Sequence, residues 1–168
     1  MSFWTENVVE PKRTYRFRVK NNSGIGVGNN NWWNVKKVDK PSYTISTNQY
    51  QLINHKINIP GIATWNPITI DLADVGNSIS SLMSDLGLFG YSPKDSINDG
   101  GLTKLRGTNI LQGFIIEQLN GSGDVIEKWE LEGAFISDLK ISSLDYSQDE
   151  IVTITLTITY DYATFMEK

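Results

Sequence analysis

The chain has 168 residues, a formal net charge of −4 and no cysteine, so disulfides, thiolate metal sites and thiol catalysis are excluded. That length supports one domain with a real core and is short for two, so a single domain over residues 1–168 is expected. Charge is unevenly divided: residues 1–60 hold nine Lys/Arg and three Asp/Glu, a net of +6, while residues 61–168 hold six and sixteen, a net of −10.

The opening "MSFWTENVVEPKR" lacks a basic start followed by an apolar run, and no stretch reaches the length of a membrane helix; a protein folded where it is made is expected. In "TYRFRVK", Tyr15, Phe17 and Val19 alternate with Arg16, Arg18 and Lys20, the period of a half-buried strand whose basic face is wet or paired. With Lys12 and Arg13 these cations read either as an arm for nucleic acid or as one side of an attraction between copies of the chain. "NNSGIGVGNNN" reads as a hairpin or loop. Its glycines lack the following helix and the lysine-serine pair of a phosphate cradle. A short strand is expected over residues 32–38 and another in "SYTIST", after Pro41.

A strand over residues 51–59, ended by Pro60 and Gly61, and another in "PITIDLAD" with Ile68, Ile70 and Leu72 on one side, are close enough to pair antiparallel. His55, the only imidazole, lies in the first of them and reads as structural rather than as a catalytic base. Asn77 or Ser78 caps one helix with Ile79, Leu82, Met83 and Leu86 on a single stripe, stopped by Gly87 or Gly90. Residues 91–109 carry no sustained period. A loop that long is unusual unless it has a task, and a contact toward a neighbouring subunit is one. "ILQGFIIEQL" and "DVIEKWEL" form a hairpin around Gly121 to Gly123, and "AFISDLKI" adds a strand. No HExxH motif, paired histidines or dense Asp/Asn loop offers a metal site, and no cofactor is expected. Glu130 and Glu132 alternate with Trp129 and Leu131 as a solvated strand face would, not as a pair of glycosidase carboxylates across a cleft.

Residues 150–163, "EIVTITLTITYDYA", put Ile154, Leu156, Ile158, Tyr160 and Tyr162 on one face and Thr153, Thr155, Thr157, Thr159 and Asp161 on the other. Twelve such residues would run roughly 40 Å, about twice the common strand. One reading is a central sandwich strand with a solvated back. An outer-membrane barrel is disfavoured by too few strands and a strong helix. The other reading is a wide barrel to which several subunits each add strands, their polar faces lining an aqueous bore. The fold class expected is mainly β (α+β), an antiparallel sandwich or barrel-like fold with one flanking helix and a long loop.

Three stretches, "KRTYRFRV" (residues 12–19), "HKINIPGIATWNPITIDLAD" (residues 55–74) and "ISDLKISSLDYSQDEIVTITLTITYDYA" (residues 136–163), resemble the tail tube protein of contractile-tailed bacteriophages. The resemblance implies a non-enzymatic virion protein, assembled in the bacterial cytoplasm as hexameric rings that stack into the inner tube and conduct the genome. Implied partners are further copies of the chain, the tail sheath protein, baseplate and tube-terminator proteins, and phage DNA passing transiently through the lumen, without membrane insertion by this chain. Relatives by the same resemblance are the tubes of type VI secretion and other contractile injection systems, and baseplate tube initiators. Thr153, Thr155, Thr157, Thr159 and Asp161 are then expected to line the lumen. Arg13, Arg16, Arg18, Lys94, Asp95, Lys104 and Arg106 are expected at subunit contacts. A monomeric nucleic-acid-binding β-domain is the alternative from a different class, and an enzyme is the weakest reading.

Overall fold

The computed structural model describes residues 11–22, 32–76, 78–88 and 102–167. Lys94, Asp95, Asn77, Gly90 and the glycine-rich residues 24–28 lie outside them. Among the described residues, ten strands and two helices follow in the order β1 (Phe17–Asn21), β2 (Val35–Val38), β3 (Ser42–Leu52), β4 (His55–Asn66), β5 (Ile68–Ala73), α1 (Ser78–Leu88), α2 (Lys104–Ile110), β6 (Phe114–Leu119), β7 (Val125–Glu132), β8 (Phe135–Ile141), β9 (Thr153–Thr159) and β10 (Tyr162–Glu167).

Two four-stranded sheets, β1-β6-β7-β10 and β2-β5-β9-β8, carry the core, and β3 pairs with β4 as a separate ribbon. Every pairing is antiparallel. The expected mainly β fold is borne out; the sheets are open and form no closed barrel within one chain.

Alternation builds the core. Ile68, Ile70 and Leu72 of β5 stand opposite Ile158, Leu156 and Ile154 of β9, and all six are buried. Val19, Phe114, Ile116 and Leu131 answer from the other sheet, with Trp32 packed edge-on against the Phe114 ring at 5.5 Å. On α1 the expected stripe is largely realised: Leu82 is buried and Ile79 and Leu86 pack against the core, whereas Met83 is exposed. Gly87 lies inside this helix rather than ending it.

Three expectations are corrected. A two-residue turn at Ile53 and Asn54 divides the strand expected over residues 51–59, and β4 continues through Pro60 and Gly61 to Asn66. Proline is tolerated there because the ribbon is two-stranded, so each strand has one open edge. The segment expected to be a loop over residues 91–109 contains α2, which Thr103 opens by accepting a hydrogen bond from the Arg106 N–H at 3.3 Å. Gly107 lets this helix approach the side chain of Phe135.

The third correction concerns residues 150–163, which are not one strand. β9 ends at Thr159; Tyr160 turns into the core, and β10 joins the opposite sheet beside β7. The crossing is fixed by the Asp161 N–H donating to the Glu132 carbonyl at 2.9 Å. Beside it, β7 passes to β8 through Gly133, whose φ of 65° is left-handed. A Cβ at Gly133 would overlap the Asp161 carboxylate. Gly133→Ala is expected to destabilise the chain by about 2 kcal/mol through backbone strain and displacement of Asp161. A thermal melt checks this, and an unchanged midpoint would contradict it.

Candidate functional site

Two surfaces stand apart from the core: the threonine face of β9 and the β3–β4 ribbon.

Thr153, Thr155, Thr157 and Thr159 share the outer face of their sheet and are all partly exposed. Hydrogen bonds tie them to neighbouring strands. The Thr155 hydroxyl donates to Asp71 of β5 at 2.8 Å, the Thr159 hydroxyl to that of Ser137 at 3.0 Å, and Lys36 reaches Thr153 at 3.5 Å. Register places Asp138 and Lys140 opposite Thr157 and Thr155, where they form a 3.2 Å ion pair, and Lys37 opposite Asp71. Lys37 also reaches Asp39 at 3.8 Å. Three lysines thus meet three aspartates, and the wall is close to neutral, though not free of cations as a purely acidic wall would be. Asp161 is not part of this row. It sits on the crossing between sheets and pairs with Lys104 of α2, so one residue expected in the lumen and one expected at a subunit contact hold each other within the chain.

Of the other expected contact residues, Arg18 is paired across the strands, donating to Glu117 at 2.7 Å, with Lys20 on the same carboxylate at 3.0 Å. Burial alone would push the Glu117 carboxyl up; these two cations outweigh it and hold it below the ordinary glutamate value. Arg13 and Arg16 lie in the segment entering β1, where the Gln118 amide donates to both backbone carbonyls. Arg106 is in the first turn of α2.

The ribbon departs from the body and is exposed along nearly its whole length. It contributes no residue to the buried core. Its register shifts between Ile45 and Thr47, where Ser46 faces Gly61 and Ile62, and Ser46 Oγ accepts from the Ile62 N–H at 3.0 Å. The shift changes which face is apolar. Below it Tyr43, Ile45, Ala63 and Trp65 share one side; beyond it Tyr50, Leu52, Ile57 and Ile59 share the other, with His55 beside them. Ile53 at the tip is 97% exposed and Ile62 is 80% exposed.

Two contacts hold the root. The rings of Tyr43 and Trp65 lie 5.1 Å apart, and Trp65 lies 5.9 Å from Tyr160. Lys40, just before β3, donates to Glu127 at 2.7 Å, and the same buried carboxylate accepts from Lys12 at 2.8 Å and from the Trp129 indole at 2.7 Å. Burial pushes the Glu127 carboxyl up, but the three donors and the charge of Lys40 bring it down to about 2.

Reasoning from sequence missed the ribbon, Glu127 and the Tyr43–Trp65–Tyr160 contact. The apolar spacing of Tyr43 and Ile45, then of Ile57 and Ile59, was the available signal for the ribbon; nothing local marks Glu127 apart from its neighbours on β7.

No protein-family model matches the sequence, and no curated protein matches it. Solved structures do. A chain of the sheath/tube terminator of the PVC extracellular contractile injection system is similar with a TM-score of 0.70 at 19% identity, covering 95% of this chain and 99% of that one. A chain of its sheath-tube complex gives 0.68 at 19% identity, covering 94% and 93%. Its structural neighbours are tube proteins of contractile injection systems. A chain of the anti-feeding prophage baseplate adds a TM-score of 0.69 at 15% identity, over 95% of this chain and 98% of that one. At such identities the likeness to these tube proteins is one of fold, and it spans the ribbon as well as the two sheets.

Proposed function

We propose that this chain is a structural tube subunit. Copies close into hexameric rings, and the rings stack into the inner tube of a contractile tail, assembled in the bacterial cytoplasm and carried in the finished particle. The β3–β4 ribbon carries this reading. An isolated two-stranded hairpin is marginal in water, yet this one holds eight large apolar side chains between 43% and 97% exposed. A second copy, laid against the distal apolar side, supplies the missing cover. Closure also hides the open edges β2 and β8, which otherwise present unpaired backbone groups. The partly exposed threonines then face the bore, where a near-neutral wall gives a sliding polymer little to hold it.

The sheath, baseplate and terminator are partners under this reading, and no catalytic step is assigned to the chain. Phage DNA is the cargo in a phage tail. A protein-delivering injection machine is the second reading, favoured by the origin of the neighbours with TM-scores of 0.68 to 0.70.

Negative-stain microscopy of concentrated protein is expected to show rings or hollow rods; protein that stays monomeric at every concentration overturns the reading. Thr155→Arg with Thr157→Arg leaves the ring contacts in place and plants cations in the bore. Rings should still form, while delivery of cargo falls by about ten-fold or more. Unchanged delivery would remove these threonines from the lumen.

A further inference from the structure

A groove lies between the segment entering β1 and strand β2, beside the root of the ribbon and the end of the threonine row that Lys36 touches. It encloses about 850 Å³, within the size range of ligand clefts. Phe17, Val38 and Trp129 give it an apolar lining, and Lys12, Lys37 and Lys40 stand among five cationic side chains around it. Among the described residues, two carboxylates, Glu117 and Glu127, line it as well, both buried and each holding two cations. Among the described residues, the groove therefore carries more cations than carboxylates over an apolar lining.

The complement of that surface is elsewhere on the same chain. Residues 142–152, joining β8 to β9, hold Asp145, Asp149 and Glu150 and no cation. Leu144 is 85% exposed, Ile151 64%, and Tyr146 stands wholly in solvent. The turn is fixed from within: Asp145 Oδ1 accepts from the Ser147 N–H at 2.9 Å and its hydroxyl at 2.8 Å, and the Asp145 carbonyl from the Gln148 N–H at 3.3 Å. Tyr146 is thus presented outward on a preformed turn, the geometry that makes a tyrosine an effective interface anchor. β2 and β8 are opposite edges of one sheet. Groove and turn are different patches of the chain, so a contact between the groove of one copy and the turn of another is heterologous and joins copies head to tail.

We propose that the groove receives the 142–152 turn of a second copy, with Tyr146 against the apolar lining and Asp149 and Glu150 against the lysines. This contact rests on the tube reading and adds to it a second joint, distinct from the ribbon. Charge of opposite sign steers the approach, and the buried tyrosine sets how long the contact lasts.

The test uses the full chain in sedimentation velocity and negative-stain microscopy at matched concentrations and two salt levels, with circular dichroism as the check on folding. Tyr146→Ala is expected to raise the concentration needed for half-assembly by about ten-fold or more. Asp149→Lys with Glu150→Lys should abolish assembly, and adding Lys36→Glu with Lys37→Glu should restore it; neither lysine holds a buried carboxylate. Normal assembly of folded Tyr146→Ala protein, or a charge reversal that the second pair does not rescue, overturns the joint. Wild-type protein that never assembles overturns the tube reading itself, a result separable from failure of the variants alone.

Discussion

Replacing residues 44–64 with a short glycine-serine turn is expected to leave a folded, soluble monomer that no longer assembles. The excised ribbon supplies none of the buried core, while Tyr43 and Trp65, already opposite each other in register, remain to close the stump against Tyr160. The melting temperature should therefore move by only a few degrees, on the order of 1 kcal/mol. What is lost is cover for a neighbour. Finishing the burial of a half-exposed Ile, Leu or Tyr contributes on the order of 1 kcal/mol, so the distal side chains together offer about 5 kcal/mol per contact before ordering and association costs are subtracted. Sedimentation velocity separates the outcomes, and rings formed by the shortened chain would show that the ribbon is dispensable. Gly61→Ala is a milder form of the same test. Its Cβ would overlap Ser46 Oγ, whose displacement disturbs the point at which the apolar face changes sides.

Period-two patterns make the sheets legible in the sequence. Ile68, Ile70 and Leu72 already announced one buried face, Ile154, Leu156 and Ile158 another, and the β6–β7 hairpin followed from its turn residues, where Asn120 Oδ1 accepts from the Ser122 and Asp124 N–H groups. Alternation says which residues share a face, not which sheet the strand belongs to. The pattern therefore runs on through Tyr160, Asp161 and Tyr162 although the chain has changed sheets, and Asp161 was placed in a row it does not join. The deciding contacts, Glu132 to Asp161 and Asp161 to Lys104, are non-local. In the ribbon the obstacle was local: Ile53 and Asn54 turn the chain without a glycine, so "QLINHKIN" reads as one strand. The bulge at Gly61 then exchanges the two faces, and no single face stays apolar long enough to be recognised. Glu127 was hidden for a third reason, since the donors that define it come from residues 12, 40 and 129, two of them far away in sequence.

Acid should weaken the fold through Glu127. The folded chain holds its carboxyl at about 2 against an ordinary value of 4.5, so protons bind the unfolded chain more readily. Its contribution is therefore complete above about pH 4.5 and drains away as pH falls toward 2; holding the carboxyl so low is worth on the order of 3 kcal/mol at neutral pH. Glu127→Gln should lower stability near pH 7 by about 2 kcal/mol, less than removal of a fully buried pair would, because Lys12 and Lys40 are half-exposed and regain water. The gap between wild type and variant should then narrow steadily from pH 4.5 to 2.5 in denaturant titrations. A gap that stays constant with pH would show that the carboxylate is not the titrating group. Because Lys40 lies just before the ribbon, losing its anchor frees the root as well as the sandwich. Assembly of Glu127→Gln should consequently weaken at neutral pH even where the monomer remains folded, and Lys40→Met should reproduce that weakening while Lys12→Met, on the other side of the carboxylate, should not.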